Sequence, residues 1–92
     1  MADPVIWKYE LQPTFDLQLL KLPKPGRILS AGPDPVTGNP VIWASVDPDP
    51  TAETCGRLLQ IAFTGNRTPL DATLLATYAE DGLVFHIFEV DP

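Results

Sequence analysis

An all-β fold, a compact antiparallel sandwich or barrel of six to seven short strands, is what this 92-residue sequence predicts. Three observations carry that expectation. Apolar side chains recur with a period of two rather than 3.6, so each run offers one face to a core as a strand does. Eleven prolines fall mostly between these runs, where a fixed φ and a missing N–H interrupt helix growth and sheet pairing alike. The runs themselves are of strand length and too short for ordinary helices.

The first run, Val5–Leu11, sets Val5, Trp7, Tyr9 and Leu11 against Lys8 and Glu10, the pattern of a half-buried strand. Thr14–Leu22 alternates Phe15, Leu17 and Leu19 and then slips to Leu20 and Leu22, which predicts a bulge or bend. Arg27–Ala31 is a shorter strand. Pro40–Val46 is apolar on both faces, as a central strand with cover on both sides would be. Arg57–Thr64 places Leu59, Ile61 and Phe63 on one face and stops at Gly65-Asn66.

Leu70–Tyr78 is readable two ways. Leu70, Leu74 and Tyr78 fit one side of a helix, whereas Leu74, Ala76 and Tyr78 fit period two, and Thr73 and Thr77 favour strand. Strand is the preferred reading, because Glu80-Asp81-Gly82 then supplies a turn into the apolar run Leu83–Val90 and the two close as a hairpin. The expected core is Trp7, Phe15, Leu17, Ile28, Trp43, Leu59, Ile61, Phe63, Phe85 and Ile87.

At 45% hydrophobic and 20% charged residues, the chain is too apolar for intrinsic disorder. Its length suits one small domain, residues 1–92, without a deep interdomain cleft. No apolar run approaches the roughly 20 residues that span a bilayer, and Met1-Ala2-Asp3-Pro4 has no basic, apolar leader, so neither a membrane partner nor secretion is expected. The formal charge of −6 argues against general nucleic-acid binding, which relies on Lys and Arg neutralising phosphates. The imbalance is uneven: residues 1–30 carry net +1 and residues 31–92 net −7. Cys55 is the only cysteine; it has no disulfide partner within the chain, which suits a cytosolic setting.

Chemistry-bearing residues are sparse. His86 is the sole histidine, so a two-His metal site is impossible, and between Val84-Phe85 and Ile87-Phe88 it reads as a structural side chain hydrogen-bonded across a sheet. Asp47, Asp49 and Glu53 fall in one loop, yet Pro48 and Pro50 extend that backbone and the central Gly of a calcium loop is missing, so it reads as a solvated acidic turn. Asp34-Pro35 with Thr37-Gly38-Asn39 reads as another turn. No metal, cofactor or catalytic residue is assigned.

Thr64-Gly65-Asn66-Arg67-Thr68 is the one place where an Arg, a Gly and several short polar donors coincide. An Arg fork clamps a carboxylate or phosphate through two bonds, and a Gly lets backbone approach a ligand. The spacing is not that of a P-loop. Arg27 and Lys24, from a basic stretch that also protects a strand edge, are the expected additional contacts. An anionic nucleotide is therefore the small-molecule candidate, with Phe63 as a flat surface for a base. Trp7 and Tyr9, near a terminus, are the candidate interface residues of a homo-oligomer, a dimer being the simplest.

Ile6-Trp7-Lys8, Ile28-Leu29-Ser30, Trp43-Ala44-Ser45-Val46-Asp47, Thr64-Gly65 and His86-Ile87-Phe88-Glu89 occur in this order across residues 5–90. In that order they resemble a family of small uncharacterised bacteriophage proteins with an Ile-Trp-Lys start, a Trp-Ala-x-Val-Asp strand and a His-x-Phe-Glu ending. The family's Gly-Thr-Gly-His turn is replaced here by Phe63-Thr64-Gly65-Asn66, so its His has no counterpart. The resemblance implies a phage origin. Together with the sparse chemistry it leads to the expectation of a non-enzymatic binding protein in the host cytoplasm, inhibiting a bacterial defence protein or sequestering an anionic signalling nucleotide. The alternative is a virion component, such as a capsid decoration or tail accessory protein.

Overall fold

The computed structural model describes residues 3–92 and contains seven strands: β1 Val5–Glu10, β2 Gln18–Pro23, β3 Pro25–Pro33, β4 Pro40–Val46, β5 Thr54–Phe63, β6 Ala72–Glu80 and β7 Leu83–Val90. All pairings are antiparallel, in a three-stranded sheet ordered β1-β4-β3 and a four-stranded sheet ordered β2-β5-β7-β6. The two form a sandwich, as the alternation predicts. No helix of the described residues is long and apolar enough to cross a membrane.

The register assigns every strand residue to a face, because directly paired residues in an antiparallel ladder point the same way. From the three-stranded sheet, Ile42, Ala44 and Val46 of β4 face inward, joined by Tyr9 of β1 and by Ile28 and Ala31 of β3. From the other come Leu22, Leu59, Ile61, Phe85 and Ile87. Leu11, just beyond β1, completes the buried cluster. Arg57 of β5 ties the layers together: its Nε and Nη2 donate to the Gly26 carbonyl oxygen at 3.2 and 3.0 Å, and Nη1 donates to Glu89 Oε2 at 2.9 Å.

Four of the expected core residues lie elsewhere. Trp43 alternates with Ile42 and Ala44 and is therefore on the outer face of β4, half-buried. Trp7 lies on the inward side of β1 but remains 43% exposed, since β1 is an edge strand. Phe15 and Leu17 precede β2 and are exposed. Ile28 and Phe63 pack at the margin of the core, while Leu59, Ile61, Phe85 and Ile87 are buried as expected.

Segment boundaries differ for local reasons. The run from Thr14 becomes strand only at Gln18, and β2 pairs with β5 without any bulge. Gln18 instead closes the preceding loop, its Oε1 accepting from Gln12 N at 2.8 Å and its Nε2 donating to Gln12 O at 2.7 Å. With Gln18, Leu20 and Leu22 inward, Leu19 simply points out. The irregularities sit in β3 and β6: a register shift between Leu74 and Ala76 turns Leu74 outward with Phe88, and Ala76 inward with Ile87. That shift is why Leu70–Tyr78 obeys no single period; the segment is strand from Ala72 onward, with Leu70 and Asp71 in the preceding bend. The β6–β7 hairpin turns through Asp81 and Gly82, both at positive φ, the conformation a two-residue hairpin loop requires.

A buried carboxylate anchors the open end of β4. Asp34 is 2% exposed, accepts from Val36 N at 2.8 Å, and is paired with Lys8 Nζ across from β1. The Lys8 ammonium and the Val36 amide hold its carboxyl below the ordinary value of 3.8, and the same hydrogen bond raises Lys8 above 10.5.

Candidate functional site

The segment after β5 turns back over the outer face of the four-stranded sheet. Asn66 makes the turn by itself: its N–H donates to Phe63 O and its Oδ1 accepts from Phe63 N, each at 2.8 Å. Beneath it, the register sets His86 beside Ala62 on one side and Thr77 on the other, all pointing outward. His86 Nδ1 lies 3.1 Å from Thr77 Oγ1 and Nε2 lies 3.0 Å from Thr64 Oγ1. A threonine hydroxyl can donate or accept, so each ring nitrogen has a matching partner and the ring is held at both ends. His86 is thus hydrogen-bonded across the sheet, as its sequence context predicts.

Loop and sheet enclose a pocket of about 280 Å³ lined by Ala62, Phe63, Thr64, Gly65, Asn66, Arg67, Thr68, His86 and Phe88. All five loop residues singled out in the sequence line it, but they are not equivalent. The Thr64 hydroxyl is engaged by His86, and the Asn66 side-chain oxygen is engaged by the Phe63 amide. Arg67 is exposed and has no ion-pair partner among the described residues. Apart from Gly65 and its chain neighbours Thr64 and Asn66, no described atom lies within 4 Å of the position a Gly65 Cβ would take, which leaves that side of the backbone open. Arg67, Thr68 and the Gly65 amide remain as donors, with Phe88 on the outer face as an apolar wall; the Phe63 ring points to the inner side of the sheet and so is not placed as a flat surface for a base on this face. Phe63 also packs on Phe85, ring centroids 4.9 Å apart.

Lys24 and Arg27 do not line this pocket. Lys24 adjoins Glu53, with Nζ 3.2 Å from Oε2, at the end of β5 opposite to Phe63; nine steps of roughly 3.3 Å separate the two ends by about 30 Å. Arg27 belongs to β3 and pairs with Ser45 in the other sheet. The sequence brings these cations close to the loop in no sense that sheet geometry respects. Of the two candidate interface residues, Trp7 is accessible on edge strand β1, whereas Tyr9 packs inward with its hydroxyl buried and without a hydrogen-bond partner.

A second cavity, of about 300 Å³, lies between Pro13, the Thr37–Pro40 turn, the Glu80-Asp81 turn and the rings of Phe63 and Phe85. Four separate segments build it, and no local pattern signals it. Among the described residues no three His, Cys, Asp or Glu side chains converge as a metal site. In the acidic loop, Asp49 instead accepts from Thr51 N and Oγ1 at 2.9 and 2.8 Å, which lowers its pKa and stiffens the turn.

With this architecture in place, comparison with known families is decisive on one point. A family described as a domain of unknown function, DUF7352, matches residues 3–92. The chain belongs to the DUF7352 family. The match spans both sheets, the Arg57 clamp and the pocket loop, so this sandwich is the DUF7352 domain itself. Neither curated proteins nor solved structures yielded a match to this DUF7352 chain.

Proposed function

We propose that this chain is a small phage-encoded, non-enzymatic binding protein acting in the host cytoplasm, and that its pocket under the Thr64–Thr68 loop takes an anionic ligand of the nucleotide class. The observation that carries this reading is Arg67: in a chain of net charge −6, a guanidinium without an ion-pair partner among the described residues lines a concave site beside an open Gly65 side and Phe88. Fixed donors that converge locally are what lets an acidic protein hold an anion. A volume near 280 Å³ is at the small end for ligand sites and suits one phosphate-bearing group or one base. The order of motifs shared with phage proteins supports the phage origin.

Calorimetric titration of the native chain with a panel of mono- and dinucleotides should detect binding, and Arg67→Ala should weaken it at least about tenfold, the loss expected of a charge-assisted hydrogen bond of roughly 1.5 kcal/mol or more. Binding untouched by Arg67→Ala removes the loop from consideration. Absence of any nucleotide binding shifts the proposal to inhibition of a host defence protein. A virion role is the second reading; many copies in purified particles would establish it, and absence from particles would support the host-directed role.

A further inference from the structure

We infer that the outer face of the four-stranded sheet is a symmetric interface that pairs two copies of this chain. The inference is independent of the nucleotide reading. The register turns Leu19, Leu58, Leu74, Val84, Phe88 and Val90 to the side of the sheet away from the core. Leu19 is 58% and Leu74 53% exposed. An antiparallel sheet with one solvated face ordinarily alternates apolar inside and polar outside; here most outward positions are apolar as well, and the chain covers only part of them, with the Thr64–Thr68 loop at the Phe63 end of β5 and the Phe15 segment at Gln60.

Charge decides which partner fits. The chain has twelve Asp and Glu residues, yet no outward-facing strand position of this sheet holds one: Glu89 and Glu80 point to the inner side, and Asp71, Asp81 and Asp91 lie outside the strands. Lys21, on edge strand β2, is the only charged outward position. A basic partner would find no carboxylate here, and an acidic one only Lys21 at the edge. A second copy, which carries the same net −6, can approach through this face without bringing carboxylates together.

Size agrees. Four strands about 4.8 Å apart and roughly eight residues long give a face of about 19 by 26 Å before side-chain relief is counted. Side-chain relief adds to this and the Thr64–Thr68 loop takes a corner away, so two such faces bury on the order of 1,000 Å² in total, about the threshold of a specific interface. Two such faces stack as sheets do in a sandwich, about 10 Å apart, and the contact is self-complementary, as a two-fold interface must be. Ala62, His86 and Phe88 line the pocket and belong to this face as well, which puts the pocket at the margin of the interface.

Sedimentation velocity of the full native chain across the micromolar range should give twice the 10.1 kDa chain mass. Leu74→Glu and, separately, Leu19→Glu should each return the mass to that of one chain. Both positions are more than half exposed in the single chain, so an unchanged far-UV circular dichroism spectrum verifies the fold. Ile6→Glu, at a residue 65% exposed on the outer side of β1, is the control and should leave the dimer intact. A native chain that is monomeric throughout overturns the inference. So does a dimer that survives both leucine variants, or one that Ile6→Glu alone dissociates.

Discussion

Gly26 shows how much of this fold rests on one residue. Its φ is +58°, and a Cβ there would lie 2.2 Å from Cys55 Sγ and 3.3 Å from Leu22 Cβ. Its carbonyl is also the acceptor of the Arg57 fork. Gly26→Ala therefore combines a left-handed backbone penalty of about 1–2 kcal/mol with a steric clash. We expect a total loss of about 3 kcal/mol or more, in the range of severe single substitutions. Denaturant unfolding of Gly26→Ala, Cys55→Ala and the double variant separates the two effects. Removing the sulfur should recover the steric part and leave the backbone part; a double variant no more stable than Gly26→Ala would contradict the contact. Tyr78 is a different case: its buried, unpartnered hydroxyl has a pKa pushed up to about 12, first by burial and then by Glu80, so it remains a neutral phenol against the stacked Phe85 ring.

Within an element, face matters more than residue size. Ile42 and Trp43 are neighbours in β4, yet Ile42 is fully buried between the sheets and Trp43 is half-buried on the outer side beside Lys8. Ile42→Ala should cost about 3–4 kcal/mol, as large-to-small changes in packed cores do. Trp43→Ala should cost about 1–2 kcal/mol despite removing more atoms, because half of the indole already meets water. Thermal melting of the two variants checks the order; a larger loss at Trp43 would mean that the outer face of β4 is covered. The alternation of β4 was open to reading in the sequence, but since Val41, Ile42, Trp43 and Ala44 are all apolar, nothing local says which set faces the second sheet.

For the whole molecule, pH tests how the ends of the three-stranded sheet are held together. Asp34 has a folded pKa below its ordinary 3.8, so its contribution to stability is present above that value and is lost as pH falls through the lower folded one. Lys8 has a folded pKa above its ordinary 10.5, so its contribution is present below 10.5 and is lost as pH rises through the folded value. The pair therefore stabilises the fold across the neutral range and fails at both extremes. Melting temperatures of the native chain and Asp34→Asn should differ at neutral pH and converge as pH drops below about 4. A gap that persisted in acid would show that Asp34 acts through its turn geometry and not through its charge.

Each of the seven expected segments contains a strand, with boundaries shifted as in β2, and the β6–β7 hairpin lies where expected, because alternation, strand length and turn chemistry are local properties that each segment carries alone. The Thr64–Thr68 loop was legible as the anion candidate for the same reason: its residues are contiguous. What lies between segments was not legible. The Lys8–Asp34 pair, the Arg57 bridge from β5 to Gly26, and the cavity shared by Pro13, Phe63 and the two turns join residues distant in sequence, and only the strand order brings them together. The same order carries Lys24 away from the loop to the far end of β5 and lifts Trp43 out of the core. A sequence fixes which faces are apolar; which of those faces finds a partner depends on how the sheets stack, and here that stacking leaves Leu19, Leu74 and their neighbours open to solvent.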